Sequence, residues 1–245
     1  MPPRFFIDRP LQAEDTFALP SGPARHVQVL RLQPGAPITL FDGTGGEWSA
    51  LVTQMGRSDV TVQLGDHSPV DREVALHVTL ALGMPANERM DTVIEKATEL
   101  GASVIQPLLC ERSVLRLNGE RAQKKVAHWQ GVAISACEQS GRTRVPVVAP
   151  VRGVLDWLRE PVAAQASCWM LAFADTQPID AVMPPSGHVV CLSGPEGGLT
   201  AAEEAAARSA GFRAISLGPR VLRADTAPIA LMSHLALSRA AASGL

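Results

Sequence analysis

The chain has 245 residues, 46% hydrophobic and 19% charged, which allows one large or two smaller domains with a sizeable core. Its net charge of −2 excludes a generally polybasic protein, yet 19 of its 22 basic residues are arginine, whose planar fork suits phosphates and stacks on bases. The start, Met-Pro-Pro-Arg-Phe-Phe, lacks the apolar core of a signal peptide, and no run approaches the length of a membrane span. The expectation is a cytoplasmic protein with no membrane segment.

Residues 1 to about 70 read as short strands and turns. Ile38 and Leu40, then Trp48, Ala50 and Val52, then Val60, Val62 and Leu64 alternate with polar residues, the period of strands buried on one face. The turn Asp42-Gly43-Thr44-Gly45-Gly46 separates the first two runs, and a small β-barrel is the expected outcome. Around these strands sit Arg4, Arg9, Arg25, His26, Arg31 and Arg57, a local basic excess able to follow a phosphate backbone. A solvated rim on a small barrel would look the same. The polar stretch Gly65 to Glu73 has linker composition and predicts a boundary, with domains at 1–70 and 74–245.

Beyond it strands alternate with helices. Val74 to Leu82 alternates as a strand, and Met90, Val93, Ile94, Ala97 and Leu100 form a helical stripe ending at Gly101. Val104 to Leu109 is a short apolar strand, and the segment from about Glu120 to Gln139 puts Val126, Trp129, Ala133 and Ala136 on one helical face. Residues 167–173 and His188 to Leu192 are further apolar strands. This order predicts an α/β domain built on a parallel sheet covered on both faces. Cys110, Cys137, Cys168 and Cys191 are widely spaced, with no Cys-x-x-Cys and no histidine at ligand spacing, so they read as buried thiols and no metal site is expected.

The chemistry concentrates in two glycine loops. Ser193-Gly194-Pro195-Glu196-Gly197-Gly198-Leu199-Thr200 follows the strand ending at Leu192, and Thr200 with Glu203 forms a capping box that opens a helix over Ala201 to Ala210, with Gly211 as its stop. A strand from Arg213 to Leu217 ends in Leu217-Gly218-Pro219-Arg220-Val221-Leu222-Arg223-Ala224-Asp225, after which Thr226 starts the last helix with Pro228 in its first turn. Both loops therefore leave strand ends at the same edge of a sheet, where ligands bind in open α/β folds. Glycines let a backbone approach a ligand, and Glu196, Arg220, Arg223 and Asp225 place charge beside it. Neither a Walker loop nor Gly-x-Gly-x-x-Gly is present, which disfavours a nucleotide-phosphate enzyme.

Two more polar loops, Cys110 to Arg116 and Glu138 to Arg144, complete a pattern. With Arg25-His26-Val27-Gln28-Val29-Leu30-Arg31, Leu40-Phe41-Asp42-Gly43, Glu95 to Gly101, Glu111-Arg112-Ser113, Glu138-Gln139-Ser140-Gly141-Arg142, Gly194 to Gly198 and Leu217 to Arg223 in this order, the chain resembles over essentially its full length the RsmE family of 16S ribosomal RNA uridine-N3 methyltransferases, within the SPOUT superfamily. It departs at Ala224-Asp225-Thr226, where the family more usually has Glu before Thr.

The resemblance implies a PUA-like RNA-binding barrel, then a SPOUT α/β domain tied in a C-terminal trefoil knot. It also implies a homodimer, S-adenosylmethionine as cofactor, and 16S ribosomal RNA or the small subunit as partner. By position the cofactor would lie against Phe173, Gly194, Gly197, Leu217, Gly218, Val221 and Leu222. Arg223, helped by Arg220, would stabilise charge on the reacting uracil, while Glu196 or Asp225 takes the proton. Arg4, Arg9, Arg25, Arg31, Arg112 and Arg142 would grip RNA. For the dimer the sequence adds the broad apolar stripe of Ile229, Leu231, Met232, Leu235 and Ala236, wider than one sheet face needs. A ribose 2′-O-methyltransferase of the same superfamily and a non-catalytic RNA-binding or assembly protein remain the alternatives.

Overall fold

The computed structural model describes residues 2–57, 59–86, 88–161, 165–182 and 187–240. The chain divides into two compact units, one of Met1–Glu73 with Ile134–Val145, the other of Val74–Ala133 with Pro146–Leu245.

The first unit is a five-stranded sheet with one helix. Strands β1 (Arg4–Phe6), β2 (Thr16–Ala18), β3 (Pro37–Phe41), β4 (Glu47–Met55) and β5 (Val60–Ser68) lie in the order β1-β3-β4-β5-β2. Alternation along β3, β4 and β5 puts Ile38, Leu40, Ala50, Val52, Val60, Val62 and Leu64 into one core with Phe5, Ile7, Ala24 and Val27, as their period requires. The expected linker is partly strand: Trp48 pairs with His67 and Glu47 with Ser68, so residues 65–68 are the polar outer end of β5. Helix α1 (Ser21–Val29) falls where only strands and turns were expected. It buries Ala24 and Val27, and too few apolar positions repeat to reveal it in sequence.

Residues 134–145 belong to this unit because of polar anchors. Arg4 is buried, ion-pairs with Glu47, and donates to the carbonyls of Gly141 (3.3 Å) and Arg142 (3.1 Å). Glu138 accepts the Phe6 amide at 3.0 Å, and burial raises its carboxyl above the usual carboxylate range. Arg142 is 4% exposed and forked onto Glu73, its Nε donating to both carboxylate oxygens at 3.1 Å. Arg4 and Arg142 were expected among the RNA-binding arginines. The structure corrects this, since a buried, paired guanidinium has no face left for a phosphate.

The second unit is an eight-stranded parallel sheet. It contains β6 (Leu76–Gly83), α2 (Glu88–Glu99), β7 (Val104–Leu109), α3 (Gly119–Ser140, whose last turns fall in the first unit), β8 (Val147–Val148), β9 (Arg152–Gly153), α4 (Val154–Trp157), β10 (Ser167–Leu171), β11 (Gln177–Pro178), β12 (Gly187–Ser193), α5 (Ala201–Ser209), β13 (Arg213–Ser216) and α6 (Thr226–Ala240). The order is β11-β13-β10-β12-β6-β7-β8, with β9 also on β7. The apolar runs are continuous because both faces are covered: Leu80, Leu82, Val189 and Cys191 pack with α2, α3 and α6, while Ala81, Val190, Leu192 and Met170 pack with α4 and α5. Leu231, Met232 and Leu235 of α6 are fully buried in this chain's own core and unavailable to a second copy, whereas Ile229 and Ala236 of the same stripe are half-buried.

The four cysteines are free thiols, three buried and Cys168 half-buried; burial pushes Cys110 and Cys137 up to about 12, which leaves them unreactive. Among the described residues no cluster of metal-ligating side chains occurs, and no helix is long and apolar enough to cross a membrane.

Removing one partner of a buried ion pair strands the other charge, at a cost of about 3–5 kcal/mol. Arg142→Ala should therefore lower the urea midpoint of the protein clearly, while Arg25→Ala, at an exposed position, should leave it unchanged. Equal midpoints for the two variants would contradict the structural role of Arg142.

Candidate functional site

Parallel pairing brings three loops to one edge. Met170 of β10 stands opposite Leu192 of β12 and Ala214 of β13, so the chain leaves all three strands on the same side, after Leu171, Ser193 and Ser216. Strand β12 enters between β6 and β10, which precede it in sequence, and such reversals of strand order open the crevice that binds ligands. A cleft of about 860 Å³ lies there.

The expected cofactor residues meet in it. Phe173 from the loop after β10, Gly194 and Gly197 from the loop after β12, and Leu217, Gly218, Val221 and Leu222 from the loop after β13 all line the cleft. So do the three residues expected to be catalytic, Glu196, Arg220 and Arg223. Asp225 does not; its Oδ1 accepts the Thr226 amide at 3.1 Å at the start of α6. Leu171, Leu199 and Ile215 complete an apolar floor, Ile215 fully buried and Leu199 7% exposed. Gly218 has φ +108°, a conformation that favours glycine, and a Cβ added there would meet nothing within 4 Å.

The Gly194–Leu199 loop is braced by side chains from two other loops. Thr200 caps α5 as its sequence implies: its hydroxyl accepts the Glu203 amide at 3.3 Å, and Glu203 Oε2 accepts the Thr200 amide at 2.8 Å. The second oxygen of Glu203 takes the Glu111 amide at 2.8 Å, so one buried carboxylate ties the turn after β7 to the start of α5. Arg112, expected on RNA, donates from Nη1 to the carbonyls of Gly197 (3.0 Å) and Leu199 (3.3 Å). Its stem explains Gly197, where a Cβ would stand 2.9 Å from the Arg112 Cβ. Glu196 Oε1 accepts the Ala86 amide at 2.9 Å and Arg89 Nη1 at 3.2 Å.

Arg89 lines the cleft and was not singled out by sequence. It lies at the start of the amphipathic helix α2, where a charged residue reads as solvated surface; only the packing of β6 against β12 reveals its partner. Arg220 and Arg223 are exposed and have no ion-pair partner among the described residues. In the first unit Arg9 is held by Asp15 (3.1 Å) and lies 4.0 Å from the centroid of the Phe17 ring, whereas Arg25 and Arg31 are exposed.

The bracing carries a prediction. Arg112→Ala removes two charge-assisted hydrogen bonds to the loop, and because the side chain is exposed, water replaces part of their value. Affinity for the cofactor that the resemblance implies should fall roughly tenfold, or about 1.4 kcal/mol, with the fold intact. Calorimetry giving an unchanged Kd would show that the loop holds its shape without Arg112.

Comparison with known proteins places the two units in a family. Residues 72–236 match the family model of an RNA methyltransferase domain, and residues 24–65 that of an RNA methyltransferase PUA domain. The ribosomal RNA small subunit methyltransferase E of Synechocystis is 34% identical over 91% of this chain and 73% of its own length. The crystal structure of a ribosomal RNA small subunit methyltransferase E from Neisseria gonorrhoeae, bound to S-adenosyl methionine, superposes with a TM-score of 0.92 at 38% identity, covering 96% of this chain and 97% of that one. A Legionella pneumophila methyltransferase in complex with S-adenosyl methionine follows at 0.90 and 33%, covering 98% of each chain. A match that spans both units, with a relative of this identity covered over most of its length, leaves one conclusion: the chain belongs to the ribosomal RNA small subunit methyltransferase E family of RNA methyltransferases.

Proposed function

We propose that this protein transfers a methyl group from S-adenosylmethionine to N3 of a specific uridine in 16S ribosomal RNA of the small subunit. The observation that carries the reading is one cleft in which an apolar floor meets two exposed arginines that have no ion-pair partner among the described residues. The names of its relatives support the RNA class, the family resemblance supports uracil N3 as acceptor, and the arginines can hold the charge that develops on that base.

The cleft suits the cofactor. About 860 Å³ admits a nucleoside with an amino-acid tail. Leu171, Leu199, Ile215, Leu217 and Leu222 offer apolar faces to a purine, while the glycine loops bring backbone donors and acceptors close to its edges. No lysine of a phosphate loop is present. When bound, the cofactor supplies a methyl already activated on a sulfonium sulfur, so the chain has to place the acceptor in line with it and manage one proton.

Uracil N3 holds its proton at neutral pH, and as that proton leaves, negative charge spreads onto O2 and O4. Arginine cannot act as a base. Its fork can hold a carbonyl oxygen where charge develops, an effect of several kcal/mol once bound RNA and cofactor exclude water from these exposed side chains. Arg223, with Arg220, has this role. Of the two carboxylates considered from sequence, Glu196 lines the cleft and Asp225 does not. Glu196 is held through Oε1 by Ala86 and Arg89, and its Oε2 takes the proton and passes it to water.

The first unit grips the RNA through Arg25 and Arg31 of the α1 region, with Arg57 joined to them by the hydrogen bond from Gln28 Nε2 to the Arg57 carbonyl. The trefoil knot and the homodimer belong to this reading as the family's form of the fold.

Two measurements test it. In single-turnover assays at saturating cofactor and RNA, Arg223→Ala should lose about 10²-fold or more in rate with near-normal binding of both ligands, and Arg223→Lys should recover only part. Transfer at the parent rate, or product carrying its methyl on ribose, would overturn the assignment. Replacing Arg25 and Arg31 together should flatten the dependence of RNA affinity on salt by about 0.7–0.9 logarithmic units for each phosphate no longer neutralised, leaving cofactor affinity unchanged. An unaltered slope would move the RNA grip away from α1.

A further inference from the structure

The lining of the cleft is graded. Its floor is recessed, with Ile215 fully buried and Leu199 7% exposed, whereas Phe173 is 76% and Val221 79% exposed. Both rim residues are large and apolar, and Phe173 is the single aromatic side chain among the described lining residues, in a chain without tyrosine. Leaving a phenyl ring in water forgoes the stabilisation that burial would give.

The ring is presented on a braced segment. On one side the Ala172 amide donates to the Ile215 carbonyl at 3.2 Å, which continues the pairing of β10 with β13. On the other, Arg208 Nη2 of α5 donates to the Ala174 carbonyl at 3.4 Å. Asp175 follows at φ +51°, a left-handed conformation uncommon outside glycine that turns the chain back. Phe173 is therefore held at the rim between two anchors, and it shares the cleft with the exposed Arg220 and Arg223.

We propose that Phe173, together with Val221, is the seat of the target pyrimidine: the extruded base stacks on the phenyl ring while Arg223 and Arg220 hold its carbonyl oxygens. This rests on the proposed methyl transfer to uracil and removes both Phe173 and Val221 from the cofactor set expected by position. The recessed apolar floor of Leu171, Leu199 and Ile215 would hold the purine of the cofactor. The base arriving from RNA meets the rim. Enzymes that modify a base must take it out of its stack, and an aromatic face replaces the stacking it loses.

The test uses the full-length protein and small ribosomal subunits from a strain lacking it. Phe173→Ala should lower kcat/KM for the subunit between about fivefold and a hundredfold, the range that base–aromatic stacking commands, while the Kd for S-adenosylmethionine stays within about threefold of the parent's. Phe173→Tyr should restore most of the loss, since any aromatic face serves. The position is exposed, so neither change should disturb folding. A parallel loss of cofactor affinity would assign the ring to the purine, and unchanged kcat/KM would deny it any seat. A shifted monomer–dimer equilibrium that accounts for the loss would assign it to a second copy of the chain. Each outcome overturns the proposal with the parent still methylating N3. A parent that binds cofactor and methylates no subunit RNA instead overturns the functional reading beneath it.

Discussion

The parallel register of β10, β12 and β13 is the constraint on which the site depends. These strands all fall between Ser167 and Ser216, and hydrogen bonding in one direction sends every C-terminal end to one edge. A parallel strand cannot be followed by a tight hairpin, so each end must pass into a loop and a returning helix or crossover. Three such loops meet because β10 lies between β12 and β13. The buried alternation of Val189, Val190, Cys191 and Leu192 between two apolar faces holds β12 at the centre of the sheet.

Around this edge the loops are tied by polar side chains that each serve two segments. Glu203 completes a capping box and also takes the Glu111 amide. Arg112 spans the carbonyls of Gly197 and Leu199, and Glu196 reaches the Ala86 amide and Arg89. Burying Glu203 alone would be costly; with both oxygens occupied it becomes a fixed joint between the turn after β7 and the start of α5. The glycine loop is thus shaped before any ligand arrives, which lowers the ordering cost of binding.

The arginines divide by burial into two kinds of work. Arg4 and Arg142 are buried and paired with Glu47 and Glu73, holding residues 134–145 within the first unit. Arg220, Arg223, Arg25 and Arg31 keep their forks in water, where charge is available to a ligand. Arg112 is exposed yet committed to carbonyls. Composition treats these residues alike, and only the position of each carboxylate and carbonyl separates them.

By itself the sequence determined the local features whose causes lie within a few residues. The alternation in β3 to β5, the helical stripe of α2 ending at Gly101, the strand Val104–Leu109, the Thr200–Glu203 cap and the two glycine loops were all legible, because backbone period and capping are short-range effects. Helix α1 and the two-residue strands β8, β9 and β11 were not, since too few residues repeat to set a period. That Arg89 reaches Glu196, that Asp225 stays outside the cleft and that Phe173 stands exposed at its rim were decided by tertiary structure alone. Each depends on pairing between segments far apart in the chain, and side-chain chemistry read along a sequence carries no record of that distance.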